Sequence, residues 1–234
     1  MYEDKISTKN RKTEREISRQ GPAKFKRRGN ENYFMKKILE IGVVGSTNGS
    51  DLPSVVKSIK KGKLKGLARI AVIISDKKDS GILKKAKHYK IEHYYLDPKG
   101  MERTEYDKKI AEKLDKYNVQ LIALIGYMRL FSSWFVKRYK NRIMNIHPSL
   151  LPSFPGIDRS VHRAVLDYGC KVSGCTLFFI DEDKDTGPII MQKAVPVYKN
   201  DSIDTLRKRV QKAEQEIYPE AIKLYALGEL KIKT

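Results

Sequence analysis

Short apolar runs alternate with amphipathic segments from Ile38 onward. The apolar runs are rich in Val and Ile and end at Gly, Pro, Asn or Ser, which is typical of buried strands. The segments between them carry apolar residues at helical spacing. The pattern predicts strands over 38–44, 67–75, 91–96, 119–125, 142–146, 172–180 and 189–197. It predicts helices over 52–61, 80–89, 102–117, 132–139, 162–168 and 202–227.

This alternation indicates the α/β class, because strand–helix repeats build parallel sheets covered by helices on both faces. The last two strands are separated by a turn-rich loop and are predicted to form a hairpin. Asp201 and Ser202 are candidate caps of the long final helix. We therefore predict a Rossmann-like, mostly parallel sheet with helices on both faces, C-terminal hairpin strands and a long C-terminal helix.

The first 34 residues have a different composition. They are polar, of mixed charge and poor in large apolar residues, and Gly21-Pro22 and Arg28-Gly29 interrupt them. Such a segment cannot bury enough apolar surface to fold alone. We predict that 1–34 is a basic, disordered extension and that 35–234 is the catalytic domain.

The chain is strongly basic, with a net charge of +20, of which residues 1–37 contribute +7. Lysines that are predicted to be solvated account for much of the remainder: Lys57, Lys60, Lys61, Lys63 and Lys65. A basic surface also attracts small polyanions. Nucleic-acid binding is not expected, because no zinc-finger, RNP or basic-zipper motif accompanies the charge.

No apolar run approaches the eighteen or so residues that a membrane helix needs. We therefore expect no membrane association and a cytoplasmic location. Cys170 and Cys175 lie in apolar surroundings without metal-ligand spacing, and we interpret them as small core residues.

Candidate chemistry is concentrated around Asn145 and His147. The two residues are two apart at the end of a predicted strand, so their side chains point to the same side. Asn can donate to an oxygen that becomes negative as a carbonyl is attacked, and His can do the same or move a proton. Asp185, in the loop between the last two strands, is the leading candidate for an orienting carboxylate. The alternative is that all three residues have only structural roles. Asn145 would then cap a turn, His147 would be a hydrogen-bonded interior histidine, and Asp185 would start a turn.

Two further segments suit ligands. The turn at 45–51 joins the first strand to the first helix, and its backbone amides could hold a phosphate. Arg129, flanked by Met128 and Leu130 at the end of the fourth strand, could bind an anionic or flat aromatic ligand. The alternative is a plain turn in the first case and plain core in the second. Trp134, in the next helix, is expected to be core.

Several motifs together make the chain resemble the folate-dependent phosphoribosylglycinamide formyltransferases of purine synthesis. They are Tyr127-Met-Arg-Leu130, Asn145-Ile-His-Pro-Ser-Leu-Leu-Pro152, Gly174-Cys-Thr176 and Asp185-Thr-Gly-Pro-Ile-Ile-Met-Gln192. The resemblance extends from about Ile38 to Ile232. It implies transfer of a formyl group from 10-formyltetrahydrofolate, the co-substrate, to glycinamide ribonucleotide, without a metal.

The resemblance also implies roles for particular residues. Catalysis falls to Asn145, His147 and Asp185. The phosphate would lie on Asn48, Gly49, Ser50 and Asp51, and the rest of the ribotide on Pro148, Gln211 and Glu214. The folate would contact Arg103, Met128, Arg129 and Leu130. By pattern alone, Arg103, Gln211 and Glu214 would be exposed helix surface.

The chain departs from the family pattern at three positions. Phe178 replaces the histidine of a Thr-x-His-Phe pattern, and a phenyl ring can neither donate nor accept a hydrogen bond. We expect the chemistry to persist, with a lower rate or a changed pH profile. In the phosphate loop, Thr47 replaces a glycine and Asp51 an asparagine, and a carboxylate there is unfavourable to a phosphate.

Three alternatives remain open on the sequence. A formyltetrahydrofolate deformylase shares the Asn, His and Asp arrangement but resembles a longer chain with an N-terminal regulatory domain. A methionyl-tRNA formyltransferase shares it too but carries a C-terminal domain. A non-catalytic folate- or nucleotide-binding protein would fit the three departures. The partners expected are the two small substrates, with the chain a monomer or homodimer.

Overall fold

A computed structural model describes residues 38–156, 158–183 and 185–232. The extension predicted over 1–34 lies outside these residues. The strands are β1 (Leu39–Val44), β2 (Ala68–Ser75), β3 (His93–Tyr95), β4 (Leu121–Leu124), β5 (Ile143–His147), β6 (Val172–Phe179) and β7 (Ile189–Pro196). The helices are α1 (Leu52–Lys61), α2 (Gly81–Tyr89), α3 (Arg103–Lys116), α4 (Ser133–Arg138), α5 (Asp158–Asp167) and α6 (Ile203–Leu227).

All seven strands belong to one sheet, in the order β3-β2-β1-β4-β5-β6-β7. The first five strands are parallel, and β6 and β7 add an antiparallel hairpin beside β5. The predicted mostly parallel sheet, C-terminal hairpin and long last helix are confirmed. Strand order reverses between β1 and β4, and open α/β sheets bind ligands at the carboxyl edge of such a switch point.

Alternate residues of the central strands pack on opposite faces of the sheet. In β4, Leu121 and Ala123 join a core cluster with α1, α2 and α6, whereas Ile122 and Leu124 join a second cluster with α3 and α4. This alternation follows from the two-residue period of a strand. Helices therefore cover both faces and leave the strand ends to form the site.

The long helix α6 is fixed at its start and in its middle. The side chains of Ser202 and Thr205 form a reciprocal capping box at its N-terminus. In its middle, the buried Tyr218 hydroxyl lies 3.0 Å from the Leu124 carbonyl and 3.1 Å from that of Met144. This phenol joins α6 to β4 and β5 near the switch point, so the helix has a fixed position against the sheet.

Two local predictions are wrong. The helix expected to start at His162 starts at Asp158, because its first turn is polar and hides the apolar period. Trp134 is 37% exposed rather than core, since Phe135 and Val136 form the buried side of the short helix α4. In the part of the chain described, no helix is both long and apolar enough to cross a bilayer.

Candidate active site

The strand β5 presents the two predicted polar residues together. Its alternation buries Met144 in the core cluster and turns Asn145 and His147 to the other side. Opposite them on β6 stand Phe178 and Thr176, which share that face because directly paired cross-strand residues point the same way. One wall of the site is thus a four-residue patch across two strands.

His147 is 3% exposed, and both of its ring nitrogens face protein oxygens. Nε2 lies 3.1 Å from the carbonyl oxygen of Phe154, which can only accept, so Nε2 carries hydrogen. Nδ1 lies 3.8 Å from Oδ2 of Asp185. That distance suits an ion pair but is too long for a hydrogen bond. A proton on Nδ1 would therefore face a carboxylate and still have room to be shared with a substrate.

Asp185 is brought to His147 by the turn between β6 and β7. Its backbone has φ of +59°, a left-handed conformation that Asp tolerates better than most residues. Its Oδ2 atom is buried and has no hydrogen-bond partner among the residues described. An unpaired buried carboxylate oxygen is costly unless a ligand or a protonated neighbour meets it. The predicted meeting of Asp185 with His147 is found.

The turn after β5 is held by side chains of the hairpin. The Thr176 hydroxyl donates to the carbonyl of Ser149 and accepts from the backbone N–H of Leu151, at 2.7 and 2.9 Å. The Gln192 amide donates to the Leu151 carbonyl and to the Thr176 hydroxyl. Thr176 and Gln192 appear in the sequence motifs, but sequence reasoning gave them no role. Structurally, they fix the turn that supplies the carbonyl partner of the histidine.

Phe178 is fully buried beside Asn145. The structure therefore places an apolar ring on the site's own wall, where the resemblance implies a histidine. The side-chain amide of Asn145 makes no hydrogen bond to any residue that the structure describes, so it is available to a ligand. Chemically, this wall offers one amide donor, one imidazole and one carboxylate.

The loop after β1 packs directly against the start of α2. A methyl group added at Gly49, whose φ is +66°, would meet Ile82, and one added at Gly81 would meet Asn48. Because a side chain at either position would collide with these neighbours, glycine is the residue that fits at both positions. Lys85 donates to the backbone oxygen and to Oδ1 of Asn48, at 2.6 and 2.8 Å. Lys85 is a residue that sequence reasoning missed, because only the fold brings α2 to this loop.

Asp51 does not face solvent with the rest of that loop. It is 2% exposed and is the N-cap residue of α1, yet its side chain makes no capping hydrogen bond. Burial raises its pKa to about 7, with the Ser50 hydroxyl acting in the opposite direction. The structure thus places the Asp51 carboxyl inside the protein, beneath the loop on which it was predicted to bind phosphate.

Gln211 and Glu214 occupy different environments on α6. Gln211 is half-buried, as a ligand contact would allow, but Glu214 is only 6% exposed. The alternative that Glu214 belongs to ordinary exposed surface is wrong. Burial raises the pKa of the Cys175 thiol, and the negative charges of Glu214 and Asp51 add to that rise. Glu214, Asp51 and Cys175 therefore share one interior region. Pro148, also half-buried, directly follows β5.

The segment after β4 lies beside the loop after β1. Met128 and Leu130 are 52% and 60% exposed, so the alternative that they are core residues is wrong. Between them, the Arg129 guanidinium lies 5.1 Å from the ring centroid of Tyr106. The Met128 N–H donates to the Ser46 hydroxyl at 3.0 Å, which links the two segments that are predicted to bind ligands. Exposed apolar side chains beside a fixed cation suit a flat, anionic ligand.

Arg103 stands exposed at the start of α3, as the pattern predicted. Its charge and that of Arg129 both act on Asp107, whose carboxylate accepts from the Ser132 N–H. The two arginines thus lie on the same side of the site. Two cations around one buried carboxylate leave positive charge available for a carboxylate-bearing ligand.

At the carboxyl edge of this sheet, an amide without a hydrogen-bond partner among the described residues lies beside a paired imidazole and carboxylate. These features place the chain in a class, the Rossmann-like α/β enzymes suited to acyl transfer. Comparison with known proteins narrows the class. The family model described as formyl transferase matches residues 39–222. The chain belongs to the formyl transferase family.

Individual relatives agree with that assignment. Phosphoribosylglycinamide formyltransferase of Bacillus subtilis is 39% identical over 190 residues, which cover 81% of this chain and 94% of that protein. The crystal structure of glycinamide ribonucleotide transformylase 1 from Symbiobacterium toebii superposes with a TM-score of 0.81 at 41% identity, covering 88% and 95% of the two chains. The trifunctional purine biosynthetic protein adenosine-3 of Gallus gallus is 39% identical over 195 residues, but the chain spans only 19% of its length.

Proposed function

We propose that the chain transfers the formyl group of 10-formyltetrahydrofolate to the amine of glycinamide ribonucleotide, giving formylglycinamide ribonucleotide and tetrahydrofolate. The observation that carries the proposal is the placement of Asp185 at 3.8 Å from Nδ1 of His147, beside the free amide of Asn145. Relatives that this chain covers almost completely bear the name of that reaction.

In the proposed reaction, the ribotide amine forms a bond to the formyl carbon, and the formyl oxygen becomes an oxyanion. The Asn145 amide and the Nδ1 proton of His147 donate to that oxyanion. Asp185 opposes the positive charge of the imidazole and accepts, through water, the proton that the amine loses. The bond from the formyl carbon to the folate nitrogen then breaks, and that nitrogen takes up a proton.

The two substrates would lie on opposite sides of this centre. We assign the ribotide phosphate to the loop from Asn48 to Ser50 and the remainder of the ribotide to Pro148, Gln211 and Glu214. We assign the folate to Met128, Arg129 and Leu130, with its carboxylate tail toward Arg103. Binding both substrates fixes the amine near the formyl carbon and so lowers the entropic part of the barrier.

The direct test is release of tetrahydrofolate from 10-formyltetrahydrofolate, with and without glycinamide ribonucleotide. Release that requires the ribotide is the expected result. Release without ribotide would indicate hydrolysis of the donor, and binding without release would indicate a non-catalytic protein. A cytoplasmic location and a monomer or homodimer stay predictions.

A histidine restored at position 178 should change catalysis. Phe178→His places a donor opposite Asn145, on the wall that also carries His147. We expect a several-fold change in kcat or a shifted pH profile, because a second imidazole could bind the unpaired oxygen of Asp185 or a nearby water. Phe178→Leu, which stays apolar, is the control. An unchanged rate and pH profile in Phe178→His would show that this position has no influence.

Loss of the Lys85 ammonium should weaken ribotide binding selectively. Lys85→Met removes charge-assisted bonds that hold Asn48, bonds of a kind worth about 2 kcal/mol. We expect the KM for ribotide to rise roughly tenfold, with kcat and the KM for folate nearly unchanged. Lys84→Met, an exposed neighbour on α2, is the control. Equal effects of the two substitutions would contradict a role for Lys85 in this loop.

A further inference from the structure

Asp51 lies directly after the proposed phosphate loop, but its carboxyl is neither exposed nor used for capping. Its side chain is 2% exposed, and its Oδ1 atom has no hydrogen-bond partner among the described residues. Its backbone nevertheless starts α1, where its carbonyl accepts from the backbone N–H groups of Ser54 and Val55. The carboxyl thus carries one buried oxygen without a partner at the start of α1, and its side-chain hydrogen bond is to the Ser50 hydroxyl.

The groups that face this carboxyl cannot neutralise it. Glu214 and Tyr218 lie on α6, and Cys175 lies on β6. Burial raises the pKa of both the Tyr218 phenol and the Cys175 thiol, and negative charge on Asp51 adds to both shifts, as that on Glu214 does for Cys175. A carboxyl, a phenol and a thiol offer no positive charge. The nearby ammonium of Lys85 is bound to the oxygens of Asn48.

Burial without a cation favours the protonated carboxyl, and it raises the pKa of Asp51 to about 7. The charge at this position therefore changes in the neutral range. A protonated carboxyl has an O–H donor and matches an asparagine amide in shape. Protonation therefore removes the negative charge from this position and adds a hydrogen-bond donor.

We propose that Asp51 is a positioning residue for the ribotide phosphate: its protonated carboxyl permits the phosphate to bind at Asn48 to Ser50, and its ionised carboxylate opposes that binding. The inference rests on the proposed function. A phosphate monoester at neutral pH carries nearly two negative charges. A third negative charge one residue away, in a medium of low dielectric constant, repels it.

The test compares wild type with Asp51→Asn, which keeps the shape of the side chain and cannot ionise. In wild type, we expect the KM for ribotide to rise about tenfold per pH unit above 7, in proportion to the loss of the protonated form. In Asp51→Asn, the KM for ribotide should change with pH only through ionisation of the substrate. Ionisation of the substrate affects both proteins equally, so the difference between their profiles reports on Asp51. The two kcat profiles should coincide.

Two controls separate phosphate repulsion from a general effect on the loop. Glycinamide riboside lacks the phosphate, so its inhibition constant should be the same in wild type and Asp51→Asn at pH 8. Asp79→Asn removes an exposed carboxylate before α2 and should behave as wild type. Identical ribotide KM profiles in wild type and Asp51→Asn would overturn the proposal, as would an equal change in riboside binding.

Binding of ribose 5-phosphate by calorimetry at pH 6 and pH 8 decides the matter without catalysis. We expect at least a fivefold greater loss of affinity at pH 8 in wild type than in Asp51→Asn. If neither protein transfers a formyl group, the proposed function fails while this measurement still decides the role of Asp51. Equal losses in the two proteins would contradict it.

The location of the carboxyl has its own readout. Because the pKa of Asp51 is higher in the folded chain than in the unfolded chain, its favourable contribution is complete below about pH 4 and is lost as pH rises through 7. We therefore compare the difference in Tm, Asp51→Asn minus wild type, at two pH values. This difference should be more positive above pH 7 than at pH 4. A difference in Tm that does not vary with pH would contradict ionisation of a buried carboxyl.

Discussion

Replacing Asp185 with asparagine should lower kcat for formyl transfer by about 10³-fold, the range typical of a lost acid–base group, and leave the KM for ribotide within a factor of two or so. Asparagine tolerates the left-handed backbone at this position and retains the size of the side chain. The substitution therefore removes chiefly the negative charge 3.8 Å from Nδ1 of His147. Steady-state kinetics with both substrates varied separate the two constants.

Two further variants make this prediction specific. Asp181→Asn removes a carboxylate from the same loop, where it accepts from the Thr186 hydroxyl, and should leave kcat nearly unchanged. His147→Ala should cost about as much as Asp185→Asn, and the double variant little more than either, because the two residues act as one unit. A loss that appears in KM alone, or fully additive losses, would refute the assigned roles.

A methyl group at Gly187 should both destabilise the protein and disable the site. A Cβ atom there would lie 1.8 Å from the Phe179 carbonyl oxygen and 3.2 Å from the Asp181 nitrogen, both backbone atoms. The loop must shift to relieve this contact, and the bond from the Phe179 N–H to the Pro188 carbonyl closes the same turn. We expect Gly187→Ala to cost about 3 kcal/mol of stability and to lower kcat at least tenfold, because Asp185 lies two residues away.

Gly169→Ala is the matched control for that substitution. Gly169 has φ of +75°, but nothing lies within 4 Å of a Cβ built there. The change should cost about 1 kcal/mol through its backbone conformation alone and leave kcat intact. Urea denaturation gives the stabilities. Similar free energies of unfolding for the two variants would show that the close contact at Gly187 relaxes without cost.

Much of the fold could be predicted because its determinants are local. The strands β1 and β4 are short apolar runs, and helices such as α1 show helical spacing, so their order along the chain specified a parallel sheet. The misplaced start of α5 and the exposed Trp134 have one cause. A pattern locates the apolar side of an element, but a polar first turn or a six-residue helix contains too few residues to define it.

The candidate site was predictable only in part. Asn145 and His147 follow from strand alternation, and Asp185 from a turn-rich loop next to apolar segments. The burial of Asp51 and Glu214 was not predictable, since it depends on how α6 packs against the start of α1. Lys85 lies 37 residues from its partner Asn48, on α2, whereas Asn48 lies in the loop between β1 and α1. Such contacts are created by tertiary structure and leave no periodic signal in the chain.

The Ser46 hydroxyl links the two parts of the proposed site, because Ser46 lies two residues before Asn48, where the proposed phosphate loop begins, and its partner Met128 belongs to the proposed folate segment. The same residue also bonds through its backbone N–H to the Gly126 carbonyl. We expect that ordering one segment on binding would lower the entropy that the other segment must still lose. Thermodynamic linkage then requires that the two effects be equal. Bound ribotide would raise the affinity for folate by the same factor by which bound folate raises the affinity for ribotide. We therefore expect the Ser46 hydroxyl to couple the binding of the two substrates before either substrate touches the other.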